Sequence, residues 1–419
     1  MDHLLWAWRR GVTVGLLICL PLAACVSCSL PAKHLRRGKP EVVGMKPSVL
    51  KEIDAVAERA ISGRKVPGCV VLIARKGVIV WERAYGNRSL RPRKVPNSTG
   101  TIYDLASMTK PLATTTAIAL LLEDGKLSLG DKVVDYLPSF AQNDKSDVTI
   151  AHLLTHVSGL KPYLGVPSLD EKYGPGPNPD AVIGEICALP KAYEIGKSCV
   201  YSCFNFVVLA RIVEEISGEP MGTFLGRRVW GRLGMEDTGF FLTEQQRKRT
   251  APTFPDGLAK NCARVHDPLA RYYTTRQHCC GNAGLFSTAR DIAILAQMLL
   301  NRGAYAGIRI LRPETVDLLT TTQTPATLPK RGMGWDIDSP YAGQARGGII
   351  PPANSFGHTG FTGGSLWIDK KSQTFVIILS NRTHMEKGAV SKLRSDVATI
   401  VGRSIDIYAE QPSPPDAFE

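Results

Sequence analysis

The sequence predicts an α/β (α+β) fold: one central antiparallel sheet drawn from both ends of the chain, flanked by helices, with an all-helical lobe inserted between its halves. Three observations predict it. Short apolar, β-branched runs joined by turn residues lie near both ends; the long stretch between them reads mostly as helix; and a further helical segment follows the last strand. No internal repeat is visible.

The elements follow in order. Arg9 and Arg10 precede an apolar run, Gly11 to Ala24, too short for a comfortable membrane span and followed by no stop-transfer pattern. Residues 1–24 therefore read as a signal peptide. Leu22-Ala23-Ala24-Cys25 resembles a bacterial lipobox, which would make Cys25 the lipidated first residue of an envelope protein anchored on the extracytoplasmic face. Residues 25–44, with Lys33, Arg36, Arg37 and Lys39, read as a flexible basic tether that could lie near anionic headgroups. The main domain is placed at 45–408, with its sheet region at about 45–105 and 330–408 and its helical lobe at about 106–329. Leu50, Ile53, Ala57 and Ala60 mark the apolar face of a helix from Ser48 to Ile61. A hairpin spans Cys69 to Ala84 around a Lys76-Gly77 turn. The clearest helices of the lobe are Leu112 to Glu123, Phe206 to Ile216 and Ala289 to Leu300, interrupted by loops such as Tyr173 to Asp180. A second hairpin pairs Gly364–Asp369 with Thr374–Leu379, and a last helix runs from Ala389 to Val401. The proline-rich, acidic residues 409–419 read as a disordered tail.

With 44% hydrophobic and 21% charged residues, the 419-residue chain is compositionally an ordinary globular protein. A net charge of +13 suits solubility or an anionic surface. Without a zinc-finger, Rossmann or P-loop pattern, and with an export leader, nucleic acid is not an expected partner. Of ten cysteines, Cys19 falls in the leader and Cys25 at the lipid site, leaving eight whose pairing the spacings do not choose. Cys279-Cys280 and Cys199/Cys203 lack a second well-spaced partner pair, so no metal site is expected, and no organic cofactor. Oligomeric state is left open.

The chemistry centres on DLASMTKPLA, Asp104 to Ala113. On a helix beginning at Ser107, Lys110 lies on the same face one turn in, and Pro111 falls where its missing N–H matters little. A neutral lysine there could take the serine proton, and the helix N-terminus favours that form. Alone, Ser-x-x-Lys is a weak signal.

It does not stand alone. Ser107-Met108-Thr109-Lys110 resembles the first motif of the serine beta-lactamase and penicillin-binding-protein superfamily. His152 to Leu160, HLLTHVSGL, is similar to a segment of its class C-like branch, and Tyr201-Ser202-Cys203 falls where that branch has Tyr-x-Asn or Tyr-Ser-Asp. Gly281 to Leu300 matches another such stretch, and His358-Thr359-Gly360 stands for the Lys-Thr-Gly motif in its His variant. The resemblance runs from about Met45 to Gly402. VHDP, Val265 to Pro268, and FGHTGFTG, Phe356 to Gly363, are similar to penicillin-binding-protein-4B-like or cell-wall-recycling serine hydrolases.

The resemblance implies that Ser107 is the acylated nucleophile, with Lys110 and Tyr201 sharing proton transfer; which of the two takes the first proton stays open. It further implies an oxyanion site from the backbone N–H groups of Ser107 and Phe361. His358, Thr359, Gly360 and Cys203 would meet the substrate. His152 and His156, lacking a third ligand, read as structural. Two departures stand out. Cys203 replaces an amide or carboxylate with a weak hydrogen-bonding thiol, and Asn205 cannot take its place without misplacing Tyr201. His358 removes the permanent charge of a lysine, weakening carboxylate recognition. The expected activity is a serine hydrolase acting on peptidoglycan peptides or muropeptides, of the D,D-carboxypeptidase or amidase type, with promiscuous esterase activity. The alternatives are a catalytically weak penicillin- or wall-peptide-binding protein and a carboxylesterase unrelated to the wall.

Overall fold

In the computed structural model, which describes residues 35–163, 165–256 and 263–408, the two chain ends meet at the centre of one sheet. Strand β1 is Arg36–Arg37, β2 Gly68–Arg75, β3 Val78–Ser89 and β4 Val95–Pro96. Just ahead of the lobe, β5 (Tyr103–Asp104) pairs with β6 (Phe286–Ser287) inside it, and there β7 (Ala304–Tyr305) pairs with β8 (Ile308–Arg309). The C-terminal set is β9 (Lys330–Arg331), β10 (Asp336–Asp338), β11 (Ser355–Thr359), β12 (Ser365–Asp369) and β13 (Thr374–Ser380). The main sheet runs β1-β3-β2-β13-β12-β11-β10-β9, with β4 paired to β3. Its central seam is antiparallel, from Arg75 opposite Thr374 to Cys69 opposite Ser380.

Side-chain alternation along that seam explains the layering. Val70, Leu72, Ala74, Ile377 and Leu379 point into the core shared with the helical lobe, while Cys69, Val71, Ile73, Val376 and Ile378 point to the other face. That other face is covered by Ile53, Val56 and Ala57 of the helix Glu52–Ser62 and by Leu393, Val397 and Val401 of the helix Ser391–Ser404. A sheet buried on both faces accounts for the near-continuous apolar runs CVVLIA and TFVIIL.

Four expectations need correction. Residues 35–44 are not tether: Arg36 N–H bonds to the Gly77 carbonyl and Gly38 N–H to Ile79, so the segment satisfies the open edge of β3, and Val43 is buried. The first helix is two pieces, Pro47–Leu50 and Glu52–Ser62. The inserted lobe is helical as expected but not wholly so, since it holds β6, whose partner β5 precedes it, and the pair β7–β8. Ser107 opens no regular α-helix. A 3₁₀ turn, Ala106–Met108, leads into a π-helical segment, Lys110–Thr115, and then the α-helix Thr116–Glu123. Pro111, which has no N–H to donate, lies in the π segment. The helix Cys203–Ser217 begins at Cys203 itself, and Ala289–Leu300 is as expected.

The described cysteines Cys69, Cys187, Cys199, Cys203, Cys279 and Cys280 are free thiols. The signal peptide, Cys25 and the tail 409–419 lie outside the described residues. Among the described residues, no helix is long and apolar enough to cross a membrane.

Candidate active site

Ser107 is presented by a strained turn. Ala106 has φ 46°, a left-handed conformation that a side chain disfavours. The buried Asp104 carboxylate holds it there, accepting from the Ala106 N–H at 2.8 Å and from the His266 N–H at 2.7 Å. Burial pushes the Asp104 carboxyl up to about 6, against the pull of those two donors.

Lys110 lies wholly buried behind the serine. Its Nζ donates to Ser107 Oγ at 3.3 Å, to the Asn282 carbonyl at 2.9 Å and to Cys203 Sγ at 3.6 Å, which occupies all three of its donors. Burial alone would lower its pKa, but the Cys203 sulfur and the Tyr201 oxygen beside it hold it above the ordinary lysine range. Those partners favour its ammonium form. Asn282 went unassigned in the sequence because it contributes a backbone carbonyl, to which residue type is silent.

Tyr201 arrives from a loop that the HLLTHVSGL segment supports. His156, itself at φ 62°, accepts the Ser202 N–H on Nδ1 at 3.1 Å, and its ring lies 4.5 Å from that of Tyr201. Burial holds His156 well below the usual imidazole range, so it is a neutral prop. His152 accepts the Thr149 N–H and caps its own short helix. Both histidines are backbone-holding, as expected. The Lys110 Nζ sits 5.0 Å from the Tyr201 ring centre. Asn205 is turned away from the lysine, accepting the Ser158 hydroxyl at 2.7 Å and meeting His156, so Cys203 is the residue of this helix that hydrogen-bonds Lys110.

The facing wall is the end of β11. Gly360 allows the close approach: a Cβ there would stand 2.3 Å from the Leu105 carbonyl, in the segment that carries Ser107. His358 lies 6.0 Å, ring to ring, from Tyr201 and donates through Nδ1 to the Thr359 carbonyl at 2.8 Å. Burial, then Arg331 and Lys110, keep it well below the usual histidine range, hence neutral. Phe361, next in the chain, is 61% exposed.

These groups line one cleft of about 510 Å³, containing Ser107, Tyr201, His358, Thr359, Gly360 and Phe361. Three guanidinium groups border it as well: Arg331, Arg382 and Arg394. Sequence reasoning missed them, because an arginine's burial is set by tertiary packing and leaves no local pattern. They change the electrostatic expectation. The charge that His358 lacks is present in the cleft, on other strands and helices. Arg331 is 2% exposed, lies 5.6 Å from the Tyr201 ring centre and is 3.6 Å from the Asp336 carboxylate.

The chemistry that such a cleft supports is attack by a serine hydroxyl on a carbonyl carbon, and the fold around it is that of serine hydrolases working through acyl-enzymes. The Beta-lactamase family model matches residues 53–399, and the chain belongs to that family. It is 30% identical over 403 residues to an Escherichia coli (strain K12) protein named "Putative D-alanyl-D-alanine carboxypeptidase", covering 86% of this chain and 89% of that one. It is 31% identical over 364 residues to the N-acetylmuramyl-L-alanine amidase of Bacillus subtilis (strain 168), covering 80% and 81%. Among solved structures, the fold is similar to EstCE1, a hydrolase with promiscuous acyltransferase activity, at TM-score 0.68 and 24% identity over 85% of this chain and 99% of that one. A penicillin-binding protein homologue from Caulobacter crescentus gives TM-score 0.67 and 22% identity over 86% and 99%. The chain is a serine-nucleophile hydrolase of the beta-lactamase superfamily.

Proposed function

We propose that this protein hydrolyses amide bonds in peptidoglycan peptides or muropeptides through an acyl-enzyme on Ser107, with small esters as secondary substrates. The observation that carries the reading is the buried Lys110, its donors spent on Ser107 Oγ, the Asn282 carbonyl and Cys203 Sγ inside a cleft faced by Tyr201 and the His358-Thr359-Gly360 edge. In this reading Tyr201 acts as a phenolate beside the Lys110 ammonium, and its oxygen takes the Ser107 proton as Oγ attacks the carbonyl carbon. The Ser107 and Phe361 N–H groups receive the oxyanion. Collapse of the tetrahedral intermediate breaks the scissile C–N bond, and the proton passes from Tyr201 to the departing amine. A water then gives its proton to Tyr201 and attacks the ester carbon; the C–Oγ bond breaks, the acid product leaves, and Tyr201 returns the proton to Ser107 Oγ.

Support for the substrate class comes from the two relatives' names and from the cleft's three guanidinium groups, which suit the free carboxylates of wall peptides. His358 and Thr359 would orient the carbonyl end, and Cys203 would meet the amide more weakly than an asparagine. The leader reading, with Cys25 as lipid anchor, supports work at the cell envelope.

The test is a substrate panel followed by mass spectrometry: a stem pentapeptide ending in D-Ala-D-Ala, an N-acetylmuramyl peptide and p-nitrophenyl butyrate, each with wild type and Ser107→Ala. Loss of alanine or release of the peptide, absent in Ser107→Ala, is the expected result. Turnover of the ester alone would favour the carboxylesterase reading, and no turnover of any substrate would favour a binding protein.

A further inference from the structure

The turn Gly360 to Gly364 carries the Phe361 N–H. It closes on itself, Gly360 N–H to the Gly364 carbonyl at 2.7 Å and Gly363 N–H to the Gly360 carbonyl at 3.1 Å. Arg394 grips it from the helix Ser391–Ser404. One guanidinium nitrogen, Nη2, donates to the Gly360 carbonyl at 2.7 Å and to the Gly364 carbonyl at 2.7 Å. Arg394 is 5% exposed, and its Nε is buried without a partner. Among the described residues, no carboxylate pairs with it. A buried, uncompensated cation is expensive to keep. Here its described hydrogen bonds both end on this one turn.

The covalent geometry gives that contact a consequence. The Gly360 carbonyl and the Phe361 N–H belong to the same planar trans peptide and point in opposite directions. Holding the carbonyl toward Arg394 aims the N–H the other way. A cationic donor on the carbonyl also polarises the peptide, and in a buried site such chained hydrogen bonds strengthen one another. We propose that Arg394 is the positioning residue of the oxyanion site, fixing and polarising the Gly360–Phe361 peptide so that its N–H is presented to the reacting oxygen. The inference rests on the reading above in which Ser107 is acylated and Phe361 N–H is an oxyanion donor.

Its action is on the transition state, so the loss belongs in kcat and not in KM. The experiment measures ester hydrolysis and the affinity of a boronic acid, which mimics the tetrahedral intermediate, for wild type, Ser107→Ala, Arg394→Met and Arg394→Lys. Removing one oxyanion donor in other enzymes costs about 10²–10³-fold in kcat. Arg394→Met is expected to lose about that much, with KM within about threefold and boronate affinity falling in parallel, while Arg394→Lys recovers about tenfold of the loss. A kcat within about threefold of wild type, or a loss confined to KM, overturns the proposal while leaving Ser107 in place. Should Arg394→Met fail to fold, Arg394→Lys decides by the same split between kcat and KM. Turnover that survives in Ser107→Ala overturns the acyl-enzyme reading and this proposal with it.

Discussion

Lys110 spends its three N–H donors on a hydroxyl, a carbonyl and a sulfur, and the sulfur is the partner most open to change. An asparagine at 203 would offer the substrate amide a firmer hydrogen bond than a thiol does. Cys203→Asn is expected to raise kcat/KM about fivefold on amide substrates and less on esters, as one added hydrogen bond of about 1 kcal/mol would do; paired steady-state assays check it. Asp104 gives a pH prediction. Its carboxyl rises from 3.8 to about 6 in the fold, so the folded state binds the proton more tightly than the unfolded one. The stabilisation is complete below pH 3.8 and is lost as pH rises through 6, about 3 kcal/mol in all. Unfolding free energies of wild type and Asp104→Asn, compared at pH 4 and pH 7, are expected to shift in the variant's favour at pH 7 by that order. Any constant offset from the altered side chain cancels in the comparison. That Ser107, Lys110 and Tyr201 lie together was legible from sequence because the motifs carrying the family resemblance contain them. Arg331 and Arg394 were not, since a surface arginine and a buried one are spelled alike.

At the scale of elements, the site forms where the segment ahead of Ser107 meets the end of β11, and Gly360 sets how closely they meet. Gly360→Ala would push a methyl against the Leu105 carbonyl. The variant is expected to lose about 1–3 kcal/mol of stability by urea unfolding, with activity falling further because the Phe361 N–H moves. Both hairpins were legible as apolar, β-branched runs bounded by turn residues, and the helix Ala289–Leu300 from its period of 3.6. The 3₁₀-to-π entry into the helix after Ser107 was not. It depends on Asp104 holding Ala106 in a left-handed conformation, a contact that draws His266 in from 162 residues away.

For the whole molecule, pairing β2 with β13 lets the N-terminal and C-terminal segments share one sheet, so the fold needs both ends. The boundary at residue 45 was misread because basic composition resembles a linker, while the edge of β3 that recruits Arg36 and Arg37 is invisible in one dimension. A soluble form beginning at Met45 is expected to be less stable than one beginning at Ala32 by about 1–3 kcal/mol, the worth of burying Val43 with its neighbours. Chemical denaturation of the two forms checks this.

The most direct measurement for the account as a whole is intact mass after exposure to a fluorophosphonate, for wild type, Cys203→Ala and Ser107→Ala. One adduct on wild type and on Cys203→Ala, with none on Ser107→Ala, is the predicted result. An adduct that persists on Ser107→Ala, or none on wild type, would contradict the assignment of Ser107 as the activated nucleophile.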